Sequence, residues 1–485
     1  METIENMVNF LEKRFRNDPG TCEWFSVPRA LGRLQKLLEL TSGDYGEDEA
    51  QELLDWSRMH SLVKVKEAAV PTQICPPQIS SMELSDIKVG GKARKPDDAY
   101  YDKSEVLRER VPRGLCILQY KIGGEPGWKA RIVVHAFHKF TGGLEDNDDC
   151  NTDPANFSYG KDYEVYFRQR AESAETIVCT QKINGEAAHF SAIEINGSIL
   201  YCAGSKNVHM LFRNEADIEL HRDSRYMWAR SIAKTVLRDF NRMEEETRQM
   251  FISFLVMSKL TGVFEILSKD HEHVESLDHL SEPQMWFLGW SQGPPFDRET
   301  SNRSLLSLPP VDGYKIAEAF GLRPTPYSVI PLTSLQERID YIHRNLYGVE
   351  GEVLMFVNEA QEVIGLVKKK SIWYICLRAI REKVKSAITS QMKSMNAKES
   401  PSTKVSKHTP SRRECKIKAS VGPAWLLDFV MKPPSKFERT RYNGFRTRSN
   451  AASDLDCAPC TEEVNTRRKH STKLTTMRGA FQSIS

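Results

Sequence analysis

The stretch Thr180-Gln181-Lys182-Ile183-Asn184-Gly185 sets a lysine three residues ahead of a glycine, at the end of the apolar run Thr176-Ile177-Val178-Cys179. A second β-capable run, Ala187 to Ile195, follows, then the pair Asn196-Gly197 and a third run from Ser198 to Cys202. Asn-Gly tolerates the positive φ of a tight turn, so the last two runs read as a hairpin and Lys182 as a strand-end residue against a sheet. A lysine held there over a pocket is a nucleophile when its surroundings keep part of it unprotonated. The bare motif does not single it out, because Lys88-Val89-Gly90-Gly91 and Lys121-Ile122-Gly123-Gly124 repeat Lys-x-x-Gly. Both of these read as turn glycines, and the rest of the chain has to decide.

With 485 residues, 40% of them hydrophobic, and eight tryptophans, the chain has material for one large core or two smaller ones. No apolar run approaches the roughly 20 residues that span a bilayer. The start Met1-Glu2-Thr3-Ile4-Glu5-Asn6 lacks the basic-then-apolar order of a signal peptide. A soluble, cytoplasmic or nuclear protein with no membrane partner is the expectation. Ten scattered cysteines suit a reducing compartment; Cys457-Ala458-Pro459-Cys460 has metal-like spacing, but no second pair follows to complete a zinc set. The net charge of +3 hides an asymmetry: from residue 391 onward there are 19 Lys/Arg against 8 Asp/Glu, a surplus of +11, which leaves −8 in residues 1–390.

Residues 1–105 read as a helical accessory region, with Ile4, Val8, Leu11 and Phe15 and then Leu31, Leu34 and Leu38 at helical spacing. Pro71 to Asp98, rich in proline, glycine and charge, reads as its linker. Strand texture begins at Leu115–Tyr120 and Ala130–Phe137 and opens a domain spanning 106–388. The acidic run Glu145-Asp146-Asn147-Asp148-Asp149 lacks the glycine and terminal glutamate of an EF-hand and reads as a solvated insertion. Trp228, Ile232, Val236 and Phe240 mark a helix. Glu265 stands in the short strand Gly262–Leu267, Glu350-Gly351 opens the strand to Val357, and Val363–Val367 runs into Lys368-Lys369-Lys370. The remainder, 389–485, loses periodicity in Ser, Thr, Pro, Lys and Arg. It reads as a basic, disordered tail that binds nucleic acid through its charge, with one apolar island at Trp425–Met431.

Singly, each of these charges reads as an ordinary surface or strand-end residue. In order, Lys182, Glu265, Glu350, Lys368 and Lys370 make a coherent set. Moving a nucleotide from a triphosphate to a lysine needs an amine, a divalent metal, cations on the phosphates and a polar contact for the sugar. Lys368 and Lys370 alternate on a strand and share one face, from which their charge is expected to depress the pKa of Lys182 and to hold the α-phosphate. Glu350 is a hard oxygen ligand suited to magnesium.

This order resembles that of the covalent nucleotidyltransferases, the superfamily of RNA ligases, DNA ligases and mRNA capping enzymes. Lys182-Ile183-Asn184-Gly185 is similar to the nucleophile motif, and Gly262-Val263-Phe264-Glu265 to the next acidic strand. Trp286-Phe287-Leu288-Gly289-Trp290 is loosely similar to the segment after it, Glu350-Gly351-Glu352-Val353 to the metal-proximal motif, and Val367–Tyr374 to the closing one. Upstream, Arg113-Gly114 and Phe137-His138-Lys139-Phe140 look like the elements that bind the outgoing phosphates in RNA ligases, and Gly204-Ser205-Lys206-Asn207 takes the place of a further basic contact. Within the superfamily the resemblance is to bacteriophage-type RNA ligases and the ligase domain of fungal tRNA ligases, over residues 105–385.

The resemblance implies an α+β fold of antiparallel β-sheets flanked by helices, with the nucleotide between them. It implies Lys182 as the covalent nucleophile, and Arg113, Lys139, Lys206, Glu265, Lys368 and Lys370 as nucleotide contacts. Phe287 is expected to stack on adenine and Glu350 to bind the metal. ATP with Mg2+ or Mn2+, and RNA bearing 5′-phosphate and 3′-hydroxyl ends, are the implied cofactors and partner. Two departures matter: Thr141 follows Lys139-Phe140 where a second aromatic is common, and Asn184 stands where DNA ligases and capping enzymes carry aspartate. The tail shows no alternation for an OB-fold barrel, and no Gly-x-x-x-x-Gly-Lys-Ser/Thr sequence occurs, so an end-healing kinase would be another protein. The alternatives are a DNA ligase, a guanylyltransferase, or a non-catalytic RNA-binding relative.

Overall fold

The computed structural model describes residues 2–16, 23–41, 46–91, 97–143, 162–293 and 303–383. The helices are α1 (Ile4–Arg16), α2 (Val27–Thr41), α3 (Glu47–Met59), α4 (Asp98–Tyr101), α5 (Glu105–Arg110), α6 (Glu215–Leu220), α7 (Met227–Arg242), α8 (Glu245–Ser258), α9 (Pro310–Ala319), α10 (Leu335–Asn345) and α11 (372–383). Strands β1 (Val63–Ala69), β2 (Ile79–Val89), β3 (Leu115–Ile122) and β4 (Lys129–His135) form a first sheet in that order. Further along come β5 (Ala174–Gln181), β6 (Glu186–Ile195), β7 (Ser198–Ser205), β8 (Val208–Phe212), β9 (Thr261–Leu267) and β10 (Gln284–Ser291), then β11 (Tyr327–Pro331), β12 (Gly351–Asn358) and β13 (Val363–Lys370). The second sheet has the order β10-β9-β6-β7-β8 and the third β11-β5-β12-β13. Their ladders are antiparallel, and the α+β fold of antiparallel sheets flanked by helices is the one expected.

Hydrophobic periodicity explains the layers. Ile232, Val236 and Phe240 of α7, with Phe254 of α8 and Phe320 after α9, cover Phe190, Phe212 and Phe264 of the second sheet, and Met355 and Leu366 of the third join the same core. Leu84, Leu118 and Val134 of the first sheet pack on Leu200, Cys202 and Leu211 of the second. On the outer face of the third sheet, Ile339 and Ile342 of α10 meet Ile177, Leu354 and Ile364. Asn196 and Gly197, at φ 48° and 72°, make the β6–β7 turn as their sequence requires.

Two readings of the N-terminal third are corrected. The supposed linker Pro71–Asp98 contains β2, an eleven-residue strand paired with β1 on one side and β3 on the other. Its apolar residues change face along the strand, Met82 and Leu84 joining one core cluster and Ile87 and Val89 another, so no single alternation marks it and its charged residues give it the composition of a linker. The first sheet therefore runs through residue 105. The helices α1 and α2 are part of the main core, with the Phe10 ring stacked on Phe320 at 5.9 Å. The two other Lys-x-x-Gly sequences lie in the first sheet, Lys88 on β2 and Lys121 on β3, and Gly124 turns toward β4 at φ 88°. The acidic run 145–149 and everything from residue 389, including Trp425–Met431 and Cys457–Cys460, lie outside the described residues. Among the described residues no helix is long and apolar enough to cross a membrane.

Candidate active site

The segment 182–185 carries the chain from β5 of the third sheet to β6 of the second, so Lys182 sits between two sheets. Its N–H donates to the Gly351 carbonyl (2.9 Å), and the Gln181 carbonyl accepts from the Thr325 hydroxyl (2.8 Å). Both motif glycines have steric reasons. A Cβ on Gly185 would lie 2.3 Å from the Ile266 carbonyl oxygen where β6 enters beside β9, and one on Gly351, at φ 147°, would lie 2.0 Å from the Lys369 oxygen.

Around the lysine the charges interlock. Lys182 Nζ is 3.0 Å from Glu350 Oε1, and Glu350 Oε2 accepts from Asn184 Nδ2 at 2.7 Å. Asn184 Nδ2 also reaches the Tyr374 hydroxyl (3.1 Å), while its Oδ1 accepts from the Val274 N–H (3.2 Å). An aspartate here would set a second anion against Glu350, which is a physical reason for the amide in this chain. Glu265 Oε1 accepts from the Gly185 N–H at 3.1 Å. Glu275 was not singled out from the sequence, yet its carboxylate accepts from the Glu350 backbone N–H.

These neighbours set the protonation states. Burial pushes Lys182 down, but the Glu350 and Glu265 carboxylates outweigh it and hold the ammonium above its ordinary value. Depression of Lys182 by Lys368 and Lys370 was expected; the sign is reversed because Glu350 is in direct contact. Lys368 itself is depressed, brought to about 7 by burial and by Lys139, Lys370 and Lys182. Burial raises Glu265 to about 7 against the pull of Lys182, and burial with Glu350 raises Glu275 to about 7. Glu350 is held below the usual range despite burial, by Lys182 and Asn184.

Alternation along β13 works as predicted. Lys369 points to the other face and donates to the Gly142 carbonyl (2.7 Å), whereas Lys370 Nζ lies 5.9 Å from the Tyr374 ring. The backbone N–H of Lys368 meets the carbonyl of Thr141, the residue that departs from the family pattern (3.3 Å). Four cations from separate segments lie near one another: Arg113 before β3, Lys139 after β4, Lys206 in the β7–β8 turn and Lys368 on β13. Burial lowers Lys206, with Arg113 and Lys139 adding to it. Two of these cations already face acids, Arg113 on Asp97 (2.9 Å) and Lys139 on Asp98.

Phe287 does not take the place expected of it. It is fully buried, packed on Phe264, Trp290 and Tyr314, and has no face for a nucleotide. Strand alternation turns its neighbour Trp286 to the opposite face, where it pairs with Glu265 across β9–β10 and lies by Ile183, Leu267, Leu277 and Leu280. Its indole N–H is buried without a hydrogen-bond partner. The pairing of Trp286 with Glu265 is a cross-strand register that the sequence does not carry, and Glu275, Asp97 and Asp98 come from irregular or one-turn segments that give no periodic signal.

A family profile described as a domain of unknown function (DUF7920) matches residues 157–381. No curated protein sequence matches the chain. Among solved structures it is similar to an archaeal ATP-dependent RNA ligase in two forms. Form 1 is 13% identical over 78% of this chain and 78% of that one, with a TM-score of 0.38. Form 2 is 10% identical over 71% and 65%, with a TM-score of 0.34. It is also similar to a variant of the Naegleria gruberi RNA ligase with ATP and Mn, at 14% identity over 42% of this chain and 51% of that one, with a TM-score of 0.26. The chain thus spans under two thirds of the length of the form 2 ligase and about half of the Naegleria one.

Proposed function

We propose that the chain is an ATP-dependent RNA ligase working through a covalent lysyl-AMP. One observation carries the reading: a half-buried lysine paired to buried Glu350, and the cations Lys139, Lys206, Lys368 and Arg113, meet from segments far apart in sequence around the gap between two sheets. After giving up its proton to solvent, the Lys182 amine would attack the α-phosphorus of ATP, forming a P–N bond and losing a second proton as the α–β bridging P–O bond breaks and pyrophosphate leaves. AMP would pass to an RNA 5′-phosphate with cleavage of P–N, and a 3′-hydroxyl would then displace AMP to make the phosphodiester. Glu350 and Glu275 offer hard oxygens in a buried, carboxylate-rich place that fits Mg2+ or Mn2+. Such a cation, when bound, supplies charge neutralisation of the phosphates and draws carboxylate charge from Lys182.

Within this scheme the chain's own groups have distinct tasks. Asn184 keeps Glu350 turned toward Lys182, and Lys368 and Lys370 present their face to the same gap. Asn184 and the Arg113 and Lys139 elements favour RNA over DNA or cap chemistry, and 5′-hydroxyl ends would need a kinase on another protein.

Incubation with each α-labelled nucleoside triphosphate and magnesium tests this. ATP should give an acid-labile adduct mapping to Lys182, absent in Lys182→Ala, and 5′-phosphorylated but not 5′-hydroxyl RNA should be adenylated or sealed. Labelling by GTP with capping of diphosphate ends, preference for nicked DNA, or no adduct at all would overturn it.

A further inference from the structure

The nucleophile loop leads into a second cluster that plays no part in the reaction above. Glu186 opens β6, four residues after Lys182. Facing it are His271, at the end of a one-turn helix (Lys269–His271), and His273 beyond it. Glu186 Oε1 stands 3.3 Å from His273 Nε2 and 3.4 Å from His271 Nδ1, and the three donor atoms all lie within 4.8 Å of one another.

The geometry points to a divalent metal site, with zinc as the fitting ion, formed by Glu186, His271 and His273. Two imidazoles and a carboxylate are a ligand set that zinc accepts. A tetrahedral ion with bonds of about 2.0–2.2 Å holds its donors about 3.3–3.6 Å apart. An octahedral magnesium at about 2.1 Å would draw them to about 3.0 Å, and a charge-assisted hydrogen bond to about 2.7–2.9 Å. The 3.3 and 3.4 Å separations from Glu186 lie within the tetrahedral range, and the 3.3 Å contact with His273 also serves as a hydrogen bond between the two side chains. The side chains are 33%, 33% and 25% exposed, so an ion reaches them from solvent. The His271 ring packs 4.6 Å from that of Trp228 on α7, which fixes its orientation. Three protein ligands leave a fourth position for water or an anionic oxygen, with Lys206 as the neighbouring cation.

Such an ion would tie the segment after β9 to the start of β6. That segment is the one whose Val274 N–H holds Asn184, and between the two histidines Glu272 accepts from the Leu277 N–H at 2.8 Å. The ion's task is therefore positioning: it braces the loop that fixes the amide beside Glu350.

The test uses the full chain, stripped with EDTA and desalted, with Co2+ alone as the spectroscopic probe. One equivalent should give the visible bands of a tetrahedral nitrogen–oxygen site, without the intense near-ultraviolet bands of cobalt–thiolate, and Zn2+ should displace it. Zn2+ should also raise the melting temperature, because an ion bound to the folded state stabilises it by mass action. The double variant His271→Ala/His273→Ala and the isosteric Glu186→Gln should each lose more than about tenfold in affinity, and Glu350→Gln should keep the cobalt spectrum. Glu186→Gln keeps the test decisive if the double variant fails to fold. Thiolate bands, a weak octahedral spectrum lost in Glu350→Gln, or a tetrahedral signal that survives Glu186→Gln would overturn the proposal.

Discussion

Two buried charge clusters use similar residues to different ends. Between the first and second sheets, His209 donates through Nδ1 to Asp86 Oδ1 (2.8 Å), its backbone N–H reaches the same oxygen (3.1 Å), and Arg225 closes on Oδ2 (3.2 Å). His189 Nδ1 meets His209 Nε2 at 3.1 Å, and burial pushes His189 well below its ordinary pKa. A Cβ on Gly114 would fall 2.2 Å from the His189 ring, so nothing else fits there. Asp86, Cys116 and His209 have the types and spacing of a metal set, yet Arg225 already supplies the positive charge. The Lys182 pocket is the opposite case: its lysine is 23% exposed, and Glu265 and Glu275 are both held near 7. A completed network holds a fold together, and carboxylates left short of cations mark a place prepared for something else.

Breaking each cluster should show the contrast at its largest. Asp86→Ala leaves buried His209 and half-buried Arg225 without their anion and should cost about 3 kcal/mol in urea unfolding, with the folded fraction still adenylated. Glu350→Gln should abolish the adduct while leaving the unfolding midpoint within about 1 kcal/mol of the parent, since it also removes a carboxylate crowded by Glu265 and Glu275. An Asp86 variant of full stability that has lost adenylation would put the two clusters in one class and end the comparison.

Titration sharpens it. Glu265 has a folded pKa of about 7, above the roughly 4.3 of an unfolded glutamate. The folded state therefore binds this proton more tightly, and the associated stability is present in full below about pH 4 and lost as pH rises through 7. Glu265→Gln removes the burial cost of the ionised carboxylate. Its gain in stability over the parent should be larger at pH 8.5 than at pH 5, on the order of 2 kcal/mol at the alkaline end, by thermal melts at both pH values. A pH-independent difference would mean that Glu265 ionises normally in the fold.

What the sequence disclosed follows from periodicity. Strands β5, β6, β9, β12 and β13 are legible because apolar alternation and Asn196-Gly197 act locally. β2 was missed because Ser80, Glu83, Asp86 and Lys88 gave the composition of a linker, although Asp86 is buried against His209. Phe287 is buried in the core while its neighbour Trp286 faces Ile183 and Leu267, because one residue along a strand reverses the face. The sign of the Lys182 shift depends on the 3.0 Å contact with Glu350, a distance that no spacing along the chain contains. Asp97 and Asp98 had no signal at all, being surface-type acids that take their meaning from cations 16 and 41 residues away.

That last pair gives the smallest effect and the finest test. Lys139 has a side chain only 1% exposed, whereas its partner Asp98 is 51% exposed, so the anion is the part that solvent or a phosphate displaces. Lys139 and Lys368 overcome the effect of burial and hold Asp98 below its ordinary pKa, so it stays ionised throughout the neutral range. A triphosphate that uses Lys139 must compete with this carboxylate. Asp98→Asn weakens the competitor without removing a cation. The KM for ATP in adduct formation should fall by about threefold, roughly the 0.2–1 kcal/mol of a partly exposed ion pair, with the rate at saturating ATP unchanged and no dependence on pH between 6 and 9. If KM rises instead, Asp98 orients Lys139 for the phosphate, and the pair belongs with Asp86 and His209 among contacts completed for structure.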